Sequence, residues 1–130
     1  MSLQFINWEI DGVTVLNLVG RFVMGDATIQ FRATIQELIG AGKANILMDL
    51  HEVTHLDSSG IGELMAAHTA CKDNGGALKL INLGRRNETL LRMMSLYTVC
   101  EVVSDEAEGI RSFSPPPDRT AAHPNLFRPA

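Results

Sequence analysis

The polar residues that could carry chemistry are concentrated between positions 51 and 58. His51, Glu52 and His55 match the H-E-x-x-H pattern of zinc proteases, in which a helix places both histidines on one face and the glutamate beside a metal-bound water. Here the pattern directly follows an apolar run, and Val53 and Thr54 at its centre disfavour a helix. No convincing third ligand follows. The sequence therefore predicts a polar loop and no metal site.

His55, Asp57 and Ser58 are also the residue types of a catalytic triad. A nucleophilic serine needs a base within hydrogen-bond reach, and a third group must orient that base. Neighbours in one short loop rarely converge in this way, and geometry rather than proximity in sequence defines such sites. We therefore predict that these residues do not form a catalytic triad.

The polar loop follows a predicted strand. The strand is indicated by a near-continuous apolar run, which is too short for a helix and typical of a central strand covered on both faces. The run consists of Ile46, Leu47, Met48 and Leu50. We expect the strand to end at His51.

A predicted helix follows the loop and begins after Asp57, a residue type that favours the N-cap position. Ser58 and Ser59 then lie in the first turn, beside unpaired backbone N–H groups and the positive end of the helix dipole, a setting that suits an added phosphate. From the residues alone, helix capping is the favoured role of these serines. The inward face is predicted from the spacing of Ile61, Leu64, Met65 and His68.

One longer motif spans the end of the strand and the start of the helix. It comprises Asp49-Leu50, Val53 and Leu56-Asp57-Ser58-Ser59-Gly60-Ile61-Gly62. The motif resembles the signature loop of the STAS domain family, specifically that of the bacterial anti-sigma factor antagonists. In those proteins the phosphoacceptor directly follows the aspartate, a position that Ser58 occupies here. The resemblance implies phosphorylation of Ser58 and a partner-binding site formed by Asp57, Ser58, Ser59, Gly60 and Ile61.

The same resemblance implies a binding switch that has no catalytic activity and no cofactor. The unmodified protein would bind an anti-sigma factor serine kinase and release a sigma factor. Phosphorylation of Ser58 would abolish that binding, and a PP2C-type phosphatase would reset it. A non-switching scaffold or accessory subunit of a stress-signalling or membrane-transport complex is the alternative within the family, and the intact Ser58 favours the switch. A zinc hydrolase is the third alternative, which metal content would distinguish.

The chain departs from the family pattern near the end of its second strand. The family commonly has an acidic residue after the glycine there, whereas this chain has Gly20-Arg21. It also commonly has polar residues where this chain has Val23-Met24. The resemblance therefore does not extend to partner contacts at these positions.

The other predicted elements alternate between strands and helices. Strands are expected at residues 3–10 and 13–19, joined by a hairpin turn at Asp11-Gly12, and at 77–83 and 99–103. Helices are expected after Asp26, Asn87 and Asp105 as N-caps. Their predicted inward residues are Ile29, Ala33, Ile35 or Gln36, Leu38 and Ile39 in the first helix, Leu90, Leu91, Met94 and Leu96 in the third, and Ala107 and Ile110 in the last.

This order predicts an α/β fold of the STAS type. Strands that alternate with helices imply parallel pairing beyond the initial hairpin. The resemblance covers residues 3 to about 113 and implies a small mixed sheet flanked by about four helices. We therefore expect a STAS domain over residues 1–113.

Length and composition support one globular domain and exclude several classes of function. The chain has 130 residues, of which 45% are hydrophobic and 20% charged, and a net charge of −4. This negative net charge does not indicate a surface that binds nucleic acid. No run approaches the roughly 20 apolar residues of a membrane span, and no signal peptide is recognisable, so a cytoplasmic protein without membrane insertion is expected. All five prolines follow Ser114, which predicts a flexible tail at 114–130.

The two cysteines are expected to be structural. Cys71 falls in the second predicted helix and Cys100 at the start of the fifth predicted strand. Neither has metal-ligand spacing, and a cytoplasmic pair is usually reduced. We predict that both are small core residues.

Overall fold

The structure, a computed structural model, describes residues 3–93 and 99–113. Its strands form one sheet in the order β1-β2-β3-β4-β5, in which β1 is antiparallel to β2 and the other neighbours are parallel. The predicted mixed α/β fold is confirmed. The elements are β1 Gln4–Ile10, β2 Val13–Phe22, α1 Asp26–Gly40, β3 Asn45–Leu56, α2 Ser58–Asp73, β4 Ala77–Ile81, α3 Arg85–Met93, β5 Glu101–Val102 and α4 Glu106–Ser112.

The core lies on both faces of the sheet. Helices α1, α2 and α3 bury their apolar residues on one face, where Phe31 packs against Phe22 with ring centroids 4.7 Å apart. Helix α4 covers the other face over β3 and β4, where Gly109 lies against Leu47. Central strands that are covered on both faces consist of nearly continuous apolar residues, as residues 46–50 do.

Cys71 and Cys100 are buried and free, so the prediction of small core residues is confirmed. Burial raises the pKa of Cys71 to about 11 and that of Cys100 to about 12. Both thiols are therefore protonated at neutral pH, which makes them poor nucleophiles.

The hairpin turn and two of the predicted caps are also confirmed. Asp11 and Gly12 both have positive φ, 53° and 81°, as a two-residue type I′ turn requires. Asp57 and Asp105 each accept a hydrogen bond from the third following backbone N–H, which places them at the N-caps of α2 and α4.

The predicted end of β3 at His51 is wrong, because the strand continues to Leu56. Strand β2 also extends further than expected, to Phe22, and pairs with β3 as far as Phe22 and Leu56 after two register shifts. Strand β4 pairs only with residues 45–49 of β3. The second half of β3 is therefore paired on one side only, and its polar residues His51, Glu52, Thr54 and His55 are exposed.

The predicted start and inward face of α1 need correction. The N-cap is Gly25 and not Asp26, because the chain enters the helix with φ 123° at this residue, a conformation that glycine adopts readily. Ile29 is 63% exposed and Ala33 is exposed, whereas Phe31 is buried. Positions 29 and 31 lie about 200° apart around a helix, so only one of them can face the core.

Several smaller expectations about the later elements also differ. Asn87 lies inside α3 and is buried, so it is not the N-cap. Ala107 is exposed, and Gly109 takes the buried position, where a Cβ would lie 2.7 Å from the methyl groups of Leu47. Strand β4 ends at residue 81 and β5 spans only residues 101–102. Met94, Leu96 and the 114–130 segment lie outside the described residues.

Candidate functional site

Asp57 joins the start of α2 to the loop that follows β2. Its backbone is extended, and its Oδ1 accepts a hydrogen bond from the Gly60 N–H at 3.0 Å. Its Oδ2 accepts one from the Met24 N–H, which is 33 positions away in sequence, at 3.1 Å. One carboxylate thus caps the helix and fixes the neighbouring loop.

The hydrogen bonds of Asp57 favour its charged form. Partial burial disfavours the carboxylate, but backbone N–H groups of Gly60, Met24 and Ser59 outweigh that effect. The net result is a pKa of Asp57 below its ordinary value. The site therefore carries a fixed negative charge next to Ser58 at neutral pH.

Replacing Asp57 with Ala is expected to destabilise the domain by about 1 kcal/mol for the lost cap, with a further loss from the unpaired Met24 N–H. Because the folded-state pKa is below the unfolded value, the charge-dependent stabilisation is present above roughly pH 4 and is lost as the pH falls through the folded pKa. Urea unfolding at several pH values measures both effects.

Asp57→Asn separates the two contributions, because Asn is also a good cap but is uncharged. The difference in unfolding free energy between wild type and Asp57→Asn should shrink below roughly pH 4. A difference that stayed constant down to about pH 3 would contradict the assignment of a charge-dependent role.

The other predicted site residues differ in accessibility. Ser58 is the first residue of α2 and is exposed, and Ser59 is half-buried. Gly60 is buried, and Ile61 is fully buried in the core. The structure therefore brings all five residues together. Only Ser58, Ser59 and part of Asp57 lie at the surface.

Gly60 allows α2 to lie close to the end of β2. A Cβ at this position would lie 2.5 Å from the Phe22 carbonyl oxygen and 2.9 Å from the Leu56 Cδ1. The first of these atoms belongs to the backbone of a paired strand and cannot move aside easily. Glycine at this position thus determines where the serine-bearing turn begins.

A family model described as STAS domain matches residues 6–109 of the chain. The chain belongs to the STAS domain family. Comparison of the STAS domain with curated protein sequences gave no significant match. Within the described residues, every helix is too short or too polar to cross a membrane.

Three solved structures share the fold of this domain. A candidate anti-sigma factor antagonist from Thermotoga maritima gives a TM-score of 0.78 at 18% identity, over 84% of this chain and 93% of that one. The Bacillus cell fate determinant SpoIIAA in its phosphorylated form gives 0.65 at 21% identity, over 85% and 100%. The murine anion transporter Slc26a9 gives 0.63 at 14% identity, over 81% of this chain and 18% of that one.

Exposed apolar side chains occur in the loop after β2, beside the serine-bearing turn, and on α1. Met24, whose N–H is bonded to Asp57, is 75% exposed, and Ile29 in the second turn of α1 is 63% exposed. The sequence did not identify either as part of a site. The signal in the sequence was Val23-Met24, where the family commonly has polar residues.

The H-E-x-x-H pattern of the STAS domain lies on β3 and not in a loop or a helix. Residues four apart are about 13 Å apart along a strand, against about 6 Å along a helix. His51 and His55 therefore cannot share a metal as they do in the helical motif. In the part of the chain that the structure describes, no group of three His, Cys, Asp or Glu side chains is placed to hold a metal ion.

Protein purified without chelator is accordingly expected to contain no stoichiometric zinc. The double variant His51→Ala, His55→Ala should unfold with nearly the same free energy, because both side chains are exposed. Elemental analysis checks the first expectation and urea unfolding the second. Tight binding of one zinc per chain, lost in the double variant, would contradict both.

Proposed function

We propose that this STAS domain is an anti-sigma factor antagonist and that phosphorylation of Ser58 switches it between two states. The unmodified form binds an anti-sigma factor serine kinase and releases the sigma factor. Phosphorylation of Ser58 ends that binding, and a PP2C-type phosphatase restores it. The observation that carries the proposal is the exposure of Ser58 at the first position of α2, directly after the capping Asp57.

The position of Ser58 supports reversible phosphorylation without damage to the fold. A phosphate adds about −1.5 to −2 charges, and a helix N-terminus favours an anion by about 0.3 to 1 kcal/mol. The hydroxyl is on an exposed residue, which a kinase can reach without unfolding α2. The isolated domain thus tolerates the modification, and the effect falls on what binds over it.

The surface around Ser58 is suited to a protein partner. Met24, whose N–H donates to Asp57, provides exposed apolar area beside a polar turn, a combination found where proteins associate. Ser58 and Ser59 make the direct contacts in this proposal. Asp57, Gly60 and Ile61 act by holding the turn in place, because they are partly or fully buried.

The protein in this proposal has no catalytic activity of its own and needs no cofactor. It acts in the cytoplasm and affects sigma-dependent transcription only through its kinase partner. It neither binds nucleic acid directly nor inserts into a membrane. The net charge of −4 supports the absence of direct nucleic acid binding.

A non-switching scaffold or accessory subunit is the second candidate. The fold is shared with a murine anion transporter, in which the matched region is only 18% of the chain. The two candidates differ in whether Ser58 is modified, since a constitutive scaffold needs no phosphoacceptor.

Incubation with candidate anti-sigma factor kinases and ATP, followed by mass-spectrometric mapping, distinguishes these candidates. The switch predicts one phosphate per chain at Ser58, none on Ser58→Ala, and unchanged modification of Ser59→Ala. A kinase that binds the domain stably in the presence of ATP but leaves Ser58 unmodified would favour the scaffold. Phosphate at Ser59 instead would contradict the assignment of the acceptor.

A further inference from the structure

Strand β1 leaves one edge of the sheet open. Among the described residues its only strand neighbour is β2, and five of its seven residues are exposed. Edge strands present unpaired N–H and C=O groups to other chains, and proteins usually protect them with lysine, proline, bulges or short length. The segment Gln4–Ile10 contains no lysine or proline and pairs with β2 without a register shift.

This edge also carries exposed apolar side chains. Ile6 is 51% exposed and Trp8 is 38% exposed, and both lie on the same face of the sheet because they are two residues apart. Helix α4 covers that face further along, over β3 and β4. An unprotected edge and an apolar strip thus coincide on one strand.

We propose that two copies of the chain associate through β1, paired antiparallel about a two-fold axis at Asn7. Such an axis, perpendicular to the sheet, pairs only residues that share a face. Centred on Asn7, it places Ile6 opposite the partner's Trp8 and Trp8 opposite the partner's Ile6. Apolar cross-strand pairs of this kind are the unit of sheet stabilisation.

The charge and length of the strand favour this register. Glu9 is the only charged residue of β1, and its Oε2 lies 3.5 Å from the Nζ of Lys43 in its own chain. In this register it faces the partner's Phe5, so no like charges oppose each other. An axis at Asn7 pairs all seven residues of Gln4–Ile10, whereas axes at Ile6 or Trp8 leave two of them unpaired. The edge is thus complementary to itself, which favours a second copy as its occupant.

Cysteine cross-linking tests the register. In the proposed dimer the two Asn7 Cα atoms lie about 4.5–5.5 Å apart, within the range that a disulfide spans. Oxidised Asn7→Cys should therefore form a covalent dimer. Gln4→Cys is the matched control, because its two copies would lie about 20 Å apart. Both positions are exposed, and the native Cys71 and Cys100 are buried. Equal cross-linking of both variants, or none, would contradict the register.

Sedimentation of the full chain tests the association itself. The small interface predicts a dissociation constant in the micromolar range, roughly, and Ile6→Lys should weaken it at least tenfold. Met93→Lys is the control, because Met93 is 76% exposed at the end of α3. Trp8 is the single tryptophan, so its emission should shift to the blue with concentration.

Three outcomes would overturn the proposal. The first is a full chain that stays monomeric at about 100 µM. The second is a dimer that Ile6→Lys leaves intact while the variant remains folded. The third is a monomeric full chain that dimerises once residues 114–130 are removed, because the edge would then belong to the chain's own terminus.

Discussion

Ser58→Asp is expected to fold like the wild type but to bind an anti-sigma factor kinase at least about a hundredfold more weakly. A binding surface that closes over Ser58 must desolvate an added negative charge or meet it with like charge. Asp57, whose pKa is already lowered, adds a second carboxylate beside it. Each 1.4 kcal/mol lost weakens binding about tenfold, so two such increments give this factor. Calorimetric titration measures the dissociation constants of the wild type and of Ser58→Asp for the kinase.

Ser58→Ala is the companion variant and should bind with near wild-type affinity in the presence and absence of ATP. Thr69→Asp is the matched control for charge alone, because Thr69 is exposed on the same helix but lies eleven positions after Ser58. If Ser58→Asp bound as tightly as the wild type, the exposed serine would not lie under the partner. Circular dichroism must show the same helix content in all variants.

Gly60→Ala is expected to destabilise the domain by about 1–3 kcal/mol, which corresponds to a fall in melting temperature of roughly 4–12 °C. The added Cβ would lie 2.5 Å from the Phe22 carbonyl oxygen, so α2 and the end of β2 must separate. The gain in helix propensity, about 0.5–1 kcal/mol, is smaller than this cost. Thermal unfolding measures the net change.

Gly62→Ala provides the control on the same helix. No atom lies within 4 Å of a Cβ at this position, so the substitution should stabilise α2 by about 0.5–1 kcal/mol. The two alanine variants are thus expected to shift the melting temperature in opposite directions. Equal shifts would show that the close approach at Phe22 is relieved without cost.

Local sequence patterns predicted the order of the elements but not how far each extends. The apolar run at 46–50 shows a buried strand, and the polar residues after it gave no sign of continuation. The continuation of β3 to Leu56 depends on β2, which reaches Phe22 and pairs with it. Pairing between segments over thirty positions apart leaves no local pattern in either one.

The orientation of α1 shows a second limit. Ile29 and Phe31 are both apolar, and their spacing cannot say which one faces the core. Packing decides this, because the Phe31 ring lies 4.7 Å from that of Phe22 and 6.5 Å from that of Phe5. The sequence pattern therefore predicts Ile29 in the core, whereas the packing of Phe31 leaves Ile29 exposed in the structure.

The candidate site is predictable where it depends on a cap and a motif. Asp57 is an N-cap by residue type, and Ser58 follows from its place after that aspartate. The contact between Asp57 and the Met24 N–H joins two distant segments, so only the fold could reveal it. The burial of Gly60 and Ile61 likewise depends on how closely α2 approaches β2.

The most direct test is a titration of the cognate anti-sigma factor kinase with two samples of the same protein, one unmodified and one stoichiometrically phosphorylated at Ser58. Both samples should show the same secondary structure and unfold within about 1 kcal/mol of each other. The phosphorylated sample should bind at least about a hundredfold more weakly, and phosphatase treatment should restore the affinity. Equal affinity of the two samples for the kinase would contradict the proposed switch.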